Sequence, residues 1–350
     1  MSDSIERALQ RALPDQTVET ISPQTTRPGN ETAFVTFADS DPVYVKTVTG
    51  SPRRLRREIA AVRYAGAHCP VGTPAVVAAD SAGDPPYLVT EPLPGTLFND
   101  RWTGDGDREQ SLHRLGAVVA DVNRATFDSP GVVTGGDADG LELHSGTWTE
   151  TLCRTIEARA DDWFPQRFAD LPERLVETVR AVDPVLEGPP TLVHGDPSRI
   201  NLHLDPTGLL DWERALVGDP AFGLVDAMFH HTGQPDVSEA EQQSFDDALL
   251  SGYRDQAGDF HPVSSGMNPS IGPSRIFSSR RRSTIGRTTP RRRLTNWLPT
   301  FGRSSTRDSR PLARRRRRTR QGPEYSKRGK KRRYNSPSFR SSCPRYSSSA

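Results

Sequence analysis

The sequence predicts a two-lobed α+β fold, in which a small lobe with an antiparallel sheet precedes a mainly helical lobe. Alternating apolar residues within residues 1–92 predict strands on either side of one helix, whereas residues 93–260 mostly show helical periodicity. The composition changes abruptly after about residue 260, where Arg, Ser and Pro dominate. We therefore expect a nucleotide-binding lobe over 1–92, a catalytic and acceptor lobe over 93–260, and a disordered Arg/Ser-rich tail over 261–350.

The small lobe is expected to follow a strand–strand–helix–strand–strand order after a short amphipathic helix. The central helix is predicted because Leu55, Ile59 and Val62 would share one face. Its end is indicated by Val71-Gly-Thr-Pro74, and Pro92-Leu-Pro-Gly95 is expected to connect the lobes. In order, the predicted elements are a helix over 4–13, strands over 31–37 and 42–48, a helix over 53–67, and strands over 75–79 and 87–91.

The larger lobe is expected to consist of helices joined by loops, around two short catalytic strands. Apolar residues recur at helical spacing in five segments of this lobe. The predicted helices cover 107–124, 149–160, 173–182, 221–230 and 239–253.

The charge of the chain is divided between its body and its tail. Residues 261–350 contain 25 Lys and Arg but only Asp308 and Glu324 as acids, whereas residues 1–260 contain 21 basic and 42 acidic residues. A basic tail of this composition has two explanations, which are a nucleic-acid-binding arm and the product of a shifted reading frame. We favour the frameshift, because a GC-rich gene read out of frame yields Arg, Ser and Pro.

Cysteine usage and hydropathy place the protein among soluble proteins of a reducing compartment. The three cysteines are widely separated and show no metal-ligand or redox spacing. No segment has the length of a signal peptide core or approaches the ~20 apolar residues that span a bilayer. We therefore expect a cytoplasmic protein without membrane contact.

Polar side chains follow two short apolar segments in the larger lobe. The first is Leu192-Val-His-Gly-Asp-Pro-Ser-Arg-Ile-Asn-Leu-His-Leu204, which contains Asp196 and Asn201, and the second is Leu209-Leu-Asp-Trp-Glu213, which contains Asp211. One carboxylate that accepts a hydroxyl proton, with an amide and a second carboxylate that hold Mg²⁺ against nucleotide phosphates, makes a phosphoryl-transfer site. The spacing H-G-D-x-x-x-x-N is a variant of the kinase catalytic loop, and Leu-Asp-Trp stands in the place of Asp-Phe-Gly.

On these residues the chain resembles the aminoglycoside phosphotransferase and choline kinase-like family, which has a protein-kinase-like fold. The segment from Gly218 to Asp226 is similar to the glycine-aspartate-proline segment of that family, and the resemblance covers roughly residues 15 to 258. It implies an ATP-dependent phosphotransferase that moves the γ-phosphate to a hydroxyl of a small aminoglycoside, choline or sugar-like acceptor. The implied cofactors are ATP and Mg²⁺.

The resemblance also implies roles for individual residues. Asp196 is the expected catalytic base, and Asn201 and Asp211 are the expected metal ligands. Lys46, the only lysine before the tail, is expected to hold the α- and β-phosphates and to pair with Glu58.

Other residues near the motifs have less specific expectations. Glu213 either adds an acid near the metal or pairs with Arg214, and both readings stay open. His194 is expected to support the loop through backbone hydrogen bonds, and Asp219 to anchor it.

The sequence departs from the family pattern at three places. The phosphate-covering loop is expected over 25–31, but it contains a single glycine, Gly29. Pro197-Ser-Arg-Ile200 replaces the family's usual Leu-His-Pro-Gly, and the hairpin between Asn201 and Asp211 is a few residues shorter than usual. Displacement of Asp211 by an ångström would impair catalysis. An inactive kinase-like remnant and a nucleic-acid-binding protein that acts through its tail are therefore the alternative hypotheses.

Overall fold

The structure is a computed structural model, and it describes residues 3–24, 26, 29–160 and 168–258. Three residues of the expected phosphate-covering loop (25, 27 and 28) lie outside the described residues, as does the predicted tail over 261–350.

The small lobe is a five-stranded antiparallel sheet with a helix on each face. The strand order is β1-β2-β3-β5-β4. Helix α1 packs Ile5, Ala8 and Leu9 against one face of the sheet, and α2 packs Leu55 and Ile59 against the other. The elements are α1 (Asp3–Ala12), β1 (Val18–Pro23), β2 (Asn30–Phe37), β3 (Val43–Val48), α2 (Arg53–His68), β4 (Val76–Asp80) and β5 (Tyr87–Thr90).

The two faces of β3 explain the position of the single lysine of this lobe. Val43 and Val45 belong to the cluster beneath α1, whereas Val48 packs with residues of α2. Because successive side chains of a strand point to opposite faces, Lys46 shares the face of Val48 and lies beneath α2. This is the alternation that the sequence predicts.

The larger lobe combines helices with two small sheets. One sheet has the order β8-β7-β12-β9, and the other has the order β11-β10-β6. The elements are β6 (Thr96–Leu97), α3 (Phe98–Thr103), α4 (Arg108–Val122), β7 (Gly131–Gly136), β8 (Leu141–Ser145), α5 (Trp148–Glu157), α6 (Leu171–Val182), β9 (Thr191–Val193), β10 (Leu202–Leu204), β11 (Gly208–Leu209), β12 (Leu216–Gly218), α7 (Pro220–His231) and α8 (Glu239–Ala257).

Helices α4 and α8 form the closest helix pair of this lobe, because each presents a glycine to its neighbour. A Cβ at Gly116 would overlap the carbonyl oxygen of Leu249, and a Cβ at Gly252 would overlap that of His113. The main core surrounds this pair and includes the buried Trp102 and Trp212. It anchors the chain on both sides of the polar motifs.

The structure differs from the predicted elements in the connections. The segment between α4 and α5 contains the β7–β8 hairpin, where we expected only loops. Strand β1 and helix α3 were also not predicted, because β1 is largely exposed and α3 has only six residues. Short or exposed elements leave a weak periodic signal, so their stability depends on pairing with distant segments.

Among the residues that the structure describes, no helix combines the length and the apolar composition needed to cross a lipid bilayer.

Candidate active site

Asp196 lies in the loop between β9 and β10, directly after a glycine in a left-handed conformation. Gly195 has φ +76°, and a Cβ at this position would overlap the carbonyl oxygen of Arg214. Both the backbone angle and the close approach therefore require glycine here. The chain therefore turns sharply after β9, and Asp196 follows this turn as a buried residue.

His194 connects this loop to the segment that contains Asp211. Its Nε2 lies 2.9 Å from the carbonyl oxygen of Leu210, and its Nδ1 accepts a hydrogen bond from the backbone N–H of Asp196 at 3.2 Å. Because a carbonyl oxygen only accepts, Nε2 carries the proton and the imidazole is neutral. Burial lowers the pKa of His194, which favours the same state. The predicted backbone support by His194 is confirmed.

The short hairpin after Asn201 is closed by backbone hydrogen bonds. Leu202 pairs with Leu209 and His203 with Gly208, across a turn at residues 205–207. The N–H of Leu210 donates to the carbonyl oxygen of Asn201 at 2.8 Å, and the Asn201 amide donates to the carbonyl oxygen of Asp196 at 3.0 Å. The shortened hairpin thus forms a regular antiparallel pair.

Asp211 ends this hairpin in a left-handed conformation, with φ +59°. A 3₁₀ turn over Trp212–Arg214 follows, and it is anchored by the indole N–H of Trp212, which donates to the carbonyl oxygen of Leu209 at 3.1 Å. This turn directs Glu213 and Arg214 to different neighbours. The positive φ is a strained conformation for a non-glycine residue, and it occurs at a proposed functional position.

Lys46 reaches three carboxylates that come from both lobes. Its Nζ lies 2.7 Å from Glu58 Oε2, 3.0 Å from Asp211 Oδ1 and 3.4 Å from Glu213 Oε2. One oxygen from each of the three acids lies within 4.8 Å of the other two. We call Glu58, Asp211 and Glu213 the carboxylate cluster.

The electrostatics of the cluster reflect burial and excess negative charge. Burial alone would lower the pKa of Lys46, but the nearby carboxylates raise it above its usual value. Burial raises the pKa of Glu58, which Lys46 offsets in part and Asp211 reinforces. Lys46 is therefore a permanent cation, and the cluster around it has more carboxylates than it can neutralise.

Asp196 has an arginine and a histidine as neighbours. Arg214 Nη1 lies 2.8 Å from Asp196 Oδ2, and His230 Nε2 lies 3.4 Å from Asp196 Oδ1. His230 also lies 3.6 Å from Asp226 Oδ1, one turn earlier on α7. Burial raises the pKa of Asp226. Arg214, Asp226 and His230 had no predicted contact with Asp196, although the four-residue spacing from Asp226 to His230 places both on one face of a predicted helix.

Two further arginines hold the backbone of the 3₁₀ turn. Arg57 donates to the carbonyl oxygen of Glu213 at 3.2 Å, and Arg159 donates to that of Arg214 at 3.4 Å. Burial lowers the pKa of Arg159 to about 10, and the nearby Arg214 guanidinium adds to this effect. These two hydrogen bonds fix the backbone of the turn, from which Glu213 reaches the carboxylate cluster and Arg214 reaches Asp196.

The structure brings the predicted site residues together in two groups, which the hairpin between Asn201 and Asp211 connects. Lys46 contacts Glu58 and Asp211, and Asn201 contacts the backbone of Asp196. Of the two expectations for Glu213, the structure supports the first, because its side chain contacts Lys46 beside Asp211. Arg214 pairs with Asp196 instead. Asp219 accepts a hydrogen bond from the N–H of Ala221 at 2.9 Å and caps α7, as expected for an anchoring residue.

Comparison with known proteins gives a family and a fold. The model of the phosphotransferase enzyme family matches residues 28–262. A search of curated proteins finds no match. Among solved structures, a protein described as a fructosamine-3-kinase from Thermobifida fusca is similar with a TM-score of 0.50 and 16% identity, over 75% of this chain and 86% of that one.

Two other solved structures have lower TM-scores. An aminoglycoside phosphotransferase in a ternary complex with ADP and hygromycin B has a TM-score of 0.49 and 14% identity, over 78% of this chain and 87% of that one. A macrolide 2'-phosphotransferase from Brachybacterium faecium has a TM-score of 0.47 and 20% identity, over 73% of this chain and 84% of that one.

The family model covers well over half of the chain and includes all the predicted site residues. The predicted two-lobed, protein-kinase-like fold is confirmed, with an antiparallel sheet in the small lobe and helices after it. Members of the matched family transfer phosphoryl groups to hydroxyl groups of small molecules. The chain belongs to the phosphotransferase enzyme family.

Proposed function

We propose that this protein transfers the γ-phosphoryl group of ATP to a hydroxyl group of a small molecule, with Mg²⁺ as the required cation. The observation that carries the proposal is the contact of Lys46 with Asp211 at 3.0 Å, because it joins the small lobe to the second polar segment, Leu209–Glu213, which follows the segment with Asp196 and Asn201 across a short hairpin. The residues that we assign to the nucleotide phosphates and to the metal are therefore in direct contact, which supports a phosphoryl-transfer site.

The carboxylate cluster fits a divalent cation by its charge. One oxygen from each of the three carboxylates lies within 4.8 Å of the other two, and the cations near them include Lys46, Arg54 at 4.0 Å from Glu213 Oε1, and Arg57, which binds the Glu213 carbonyl oxygen. Carboxylate and amide oxygens are the ligands that Mg²⁺ prefers. We assign Asp211 and Asn201 as its ligands, with Glu213 as a further acid beside them. When bound, Mg²⁺ neutralises charge on the transferred phosphoryl group.

Lys46 is assigned to the nucleotide phosphates, and Glu58 to the position of Lys46. The Lys46 side chain is 14% exposed and Glu58 is 8% exposed, so the amine is held in a largely buried ion pair. The three N–H groups of the amine point to Glu58, Asp211 and Glu213, so bound nucleotide phosphates would replace a carboxylate of the larger lobe while Glu58 keeps the amine in place. Glu58 therefore contributes by orientation, through its 2.7 Å contact with Lys46.

Asp196 is assigned as the base that accepts the proton of the acceptor hydroxyl. Arg214 Nη1 pairs with Asp196 Oδ2 at 2.8 Å, and His194 Nδ1 accepts from the Asp196 backbone N–H at 3.2 Å, whereas the buried Oδ1 has no hydrogen-bond partner among the described residues. In loose phosphoryl transfer the base mainly orients the hydroxyl and takes the proton late, at a carboxylate oxygen of Asp196. The contacts at Oδ2 and at the backbone N–H fix the side chain and leave Oδ1 available to accept the proton.

The acceptor is proposed to be a small hydroxylated molecule. The structurally similar proteins include enzymes of aminoglycosides and macrolides and a protein described as a fructosamine kinase. Their sequence identities of 14–20% support a fold and no particular acceptor. A panel with hygromycin B, a macrolide and a fructosamine covers these chemical classes.

The test is ADP formation from Mg²⁺-ATP, measured with each acceptor of the panel and with water alone. Asp196→Asn is expected to lower turnover by roughly 10²–10⁴-fold and to keep nucleotide binding, because its side chain does not touch the carboxylate cluster. Asp211→Asn is expected to lose both turnover and metal-dependent nucleotide binding.

A matched control is Asp121→Asn in α4. Asp121 pairs with Arg124 at 3.3 Å, and its side chain is 15% exposed, against 10% for Asp196. We expect this variant to turn over at the native rate. A folded native chain without metal-dependent ATP binding or turnover would refute the proposal and favour the inactive-remnant hypothesis.

A further inference from the structure

The loop that carries Asp196 and Asn201 has no strand partner between β9 and β10, so its backbone must be held by other contacts. The carbonyl oxygen of Pro197 accepts from His231 Nε2 at 2.6 Å, and that of Arg199 accepts from the N–H of Asn99 at 3.0 Å. His231 is fully buried, and burial lowers its pKa to about 3. The imidazole is therefore neutral and donates to Pro197 through Nε2.

Arg199 supplies the side-chain anchor of the same loop. Its Nη1 lies 2.7 Å from Asp236 Oδ2 and its Nη2 lies 3.2 Å from Asp236 Oδ1, so the ion pair is bidentate. Nη2 also donates to the carbonyl oxygen of His231 at 3.1 Å, and the guanidinium stacks over the Trp102 ring at 4.0 Å. One side chain thus ties the loop to α3, to the end of α7 and to the segment before α8.

The partners of Arg199 are themselves well held. Trp102 is 1% exposed, and its indole N–H donates to Asp236 Oδ2 at 2.9 Å. The hydrogen bonds from Arg199 are the main reason that the pKa of Asp236 falls to about 2, so this carboxylate stays ionised at every physiological pH. Planar guanidinium groups that stack and pair at once are not replaced by lysine without loss.

We propose that Arg199 is a positioning residue, which sets the distance between Asp196 and Asn201 by fixing the loop between them. The inference rests on the proposed function, because these two residues are its proposed base and metal ligand. Arg199 lies three residues after Asp196 and two before Asn201. Its contacts run to Trp102, His231 and Asp236, so it acts through its neighbours in the chain.

The variants Arg199→Gln and Arg199→Lys test this role. A misplacement of about 1 Å costs on the order of 10²-fold in rate, so we expect Arg199→Gln to lower the turnover number for ADP formation by roughly 10- to 100-fold. The KM for ATP is expected to rise by a smaller factor than the turnover number falls, because Asn201 moves with the loop while the contacts of Lys46 and Asp211 stay intact. Arg199→Lys keeps the charge and loses the fork, so its turnover is expected to be intermediate.

Arg108→Gln is the matched control. Arg108 also lies over the Trp102 ring, at 4.9 Å, and donates to the carbonyl oxygen of Trp102 at 3.2 Å. Its ion pair is with Glu241, which is not part of the catalytic loop. Its loss should lower the melting temperature and leave turnover at the native rate. The double variant of Arg199→Gln with Asp236→Asn should turn over no more slowly than Arg199→Gln alone, because both substitutions disrupt the same Arg199–Asp236 ion pair.

Two results would overturn the inference. One is native turnover in a folded Arg199→Gln variant, and the other is an equal loss of turnover in Arg108→Gln at the same melting temperature. If the native chain does not turn over Mg²⁺-ATP, the proposed function is refuted, and this inference is refuted with it. The native measurement alone therefore distinguishes the two failures.

Discussion

The variant Asp211→Asn is expected to lose metal-dependent nucleotide binding without a decrease in the free energy of unfolding. In the protein without Mg²⁺, Asp211→Asn removes the attraction of Lys46 at 3.0 Å, but it also removes the repulsion of two carboxylates within 4.8 Å. With an effective dielectric constant of about 20, the attraction is about 5.5 kcal/mol and each repulsion at 4.8 Å is about 3.5 kcal/mol. Two repulsions outweigh one attraction, so the free energy of unfolding should stay level or rise by up to about 2 kcal/mol.

The same variant should lose the stabilisation that Mg²⁺-ATP confers. A ligand at roughly 100 times its Kd adds about 2.7 kcal/mol to the free energy of unfolding when it binds only the folded state. Urea unfolding at low ionic strength, with and without Mg²⁺-ATP, measures both quantities on the same samples, because salt screens the charges least under these conditions. We expect the increment of about 2.7 kcal/mol in the native chain and none in Asp211→Asn.

Asp80→Asn serves as the control for this experiment. Asp80 lies in the same lobe as Lys46 and pairs with Arg11 at 3.2 Å, at the outer edge of the sheet. Its loss should cost less than about 1 kcal/mol and leave the Mg²⁺-ATP increment unchanged. If Asp211→Asn instead lowers the stability of the metal-free protein by more than about 3 kcal/mol, Asp211 is a structural ion-pair partner and the electrostatic reasoning is wrong.

Three further variants test other parts of the structure. Lys46→Met leaves the carboxylate cluster without its amine and should lower the free energy of unfolding by about 3–5 kcal/mol at pH 7. Urea unfolding should show a smaller loss at pH 5, because burial raises the pKa of Glu58 in the folded state and this carboxylate takes up a proton there. Burial lowers the pKa of His231 to about 3 in the folded protein, against an ordinary value of about 6.5, so its contribution to the free energy of unfolding is complete above about pH 6.5 and is lost as the pH falls toward 3. The stability difference between the native chain and His231→Gln should narrow by about 2 kcal/mol between pH 6.5 and pH 5, and a constant difference would contradict the buried neutral imidazole. Gly252→Ala places a methyl group against the carbonyl oxygen of His113 and should lower the melting temperature, at a cost of at least about 1–3 kcal/mol, without changing the Kd of Mg²⁺-ATP in the folded fraction. An unchanged melting temperature would show that α4 and α8 are not as closely packed as described.

Local patterns in the sequence determined most of the regular elements and the polar motifs. The alternation in β3 placed Lys46 on the face opposite Val43 and Val45, and the spacing of Leu55 and Ile59 predicted α2. The pairing of Lys46 with Glu58 followed from the resemblance and is seen at 2.7 Å. These features depend on periods of two and 3.6 residues, which a short segment specifies by itself.

The tertiary structure decided the partners of the side chains around the site. Glu213 and Arg214 are adjacent in sequence, yet one faces Lys46 and the other pairs with Asp196, because the left-handed Asp211 starts a 3₁₀ turn. The Arg199–Asp236 pair joins residues 37 positions apart, and the Lys46–Asp211 contact joins residues 165 positions apart. No local period carries such information, since long-range contacts form only when the core positions α2, the hairpin and α7 against one another.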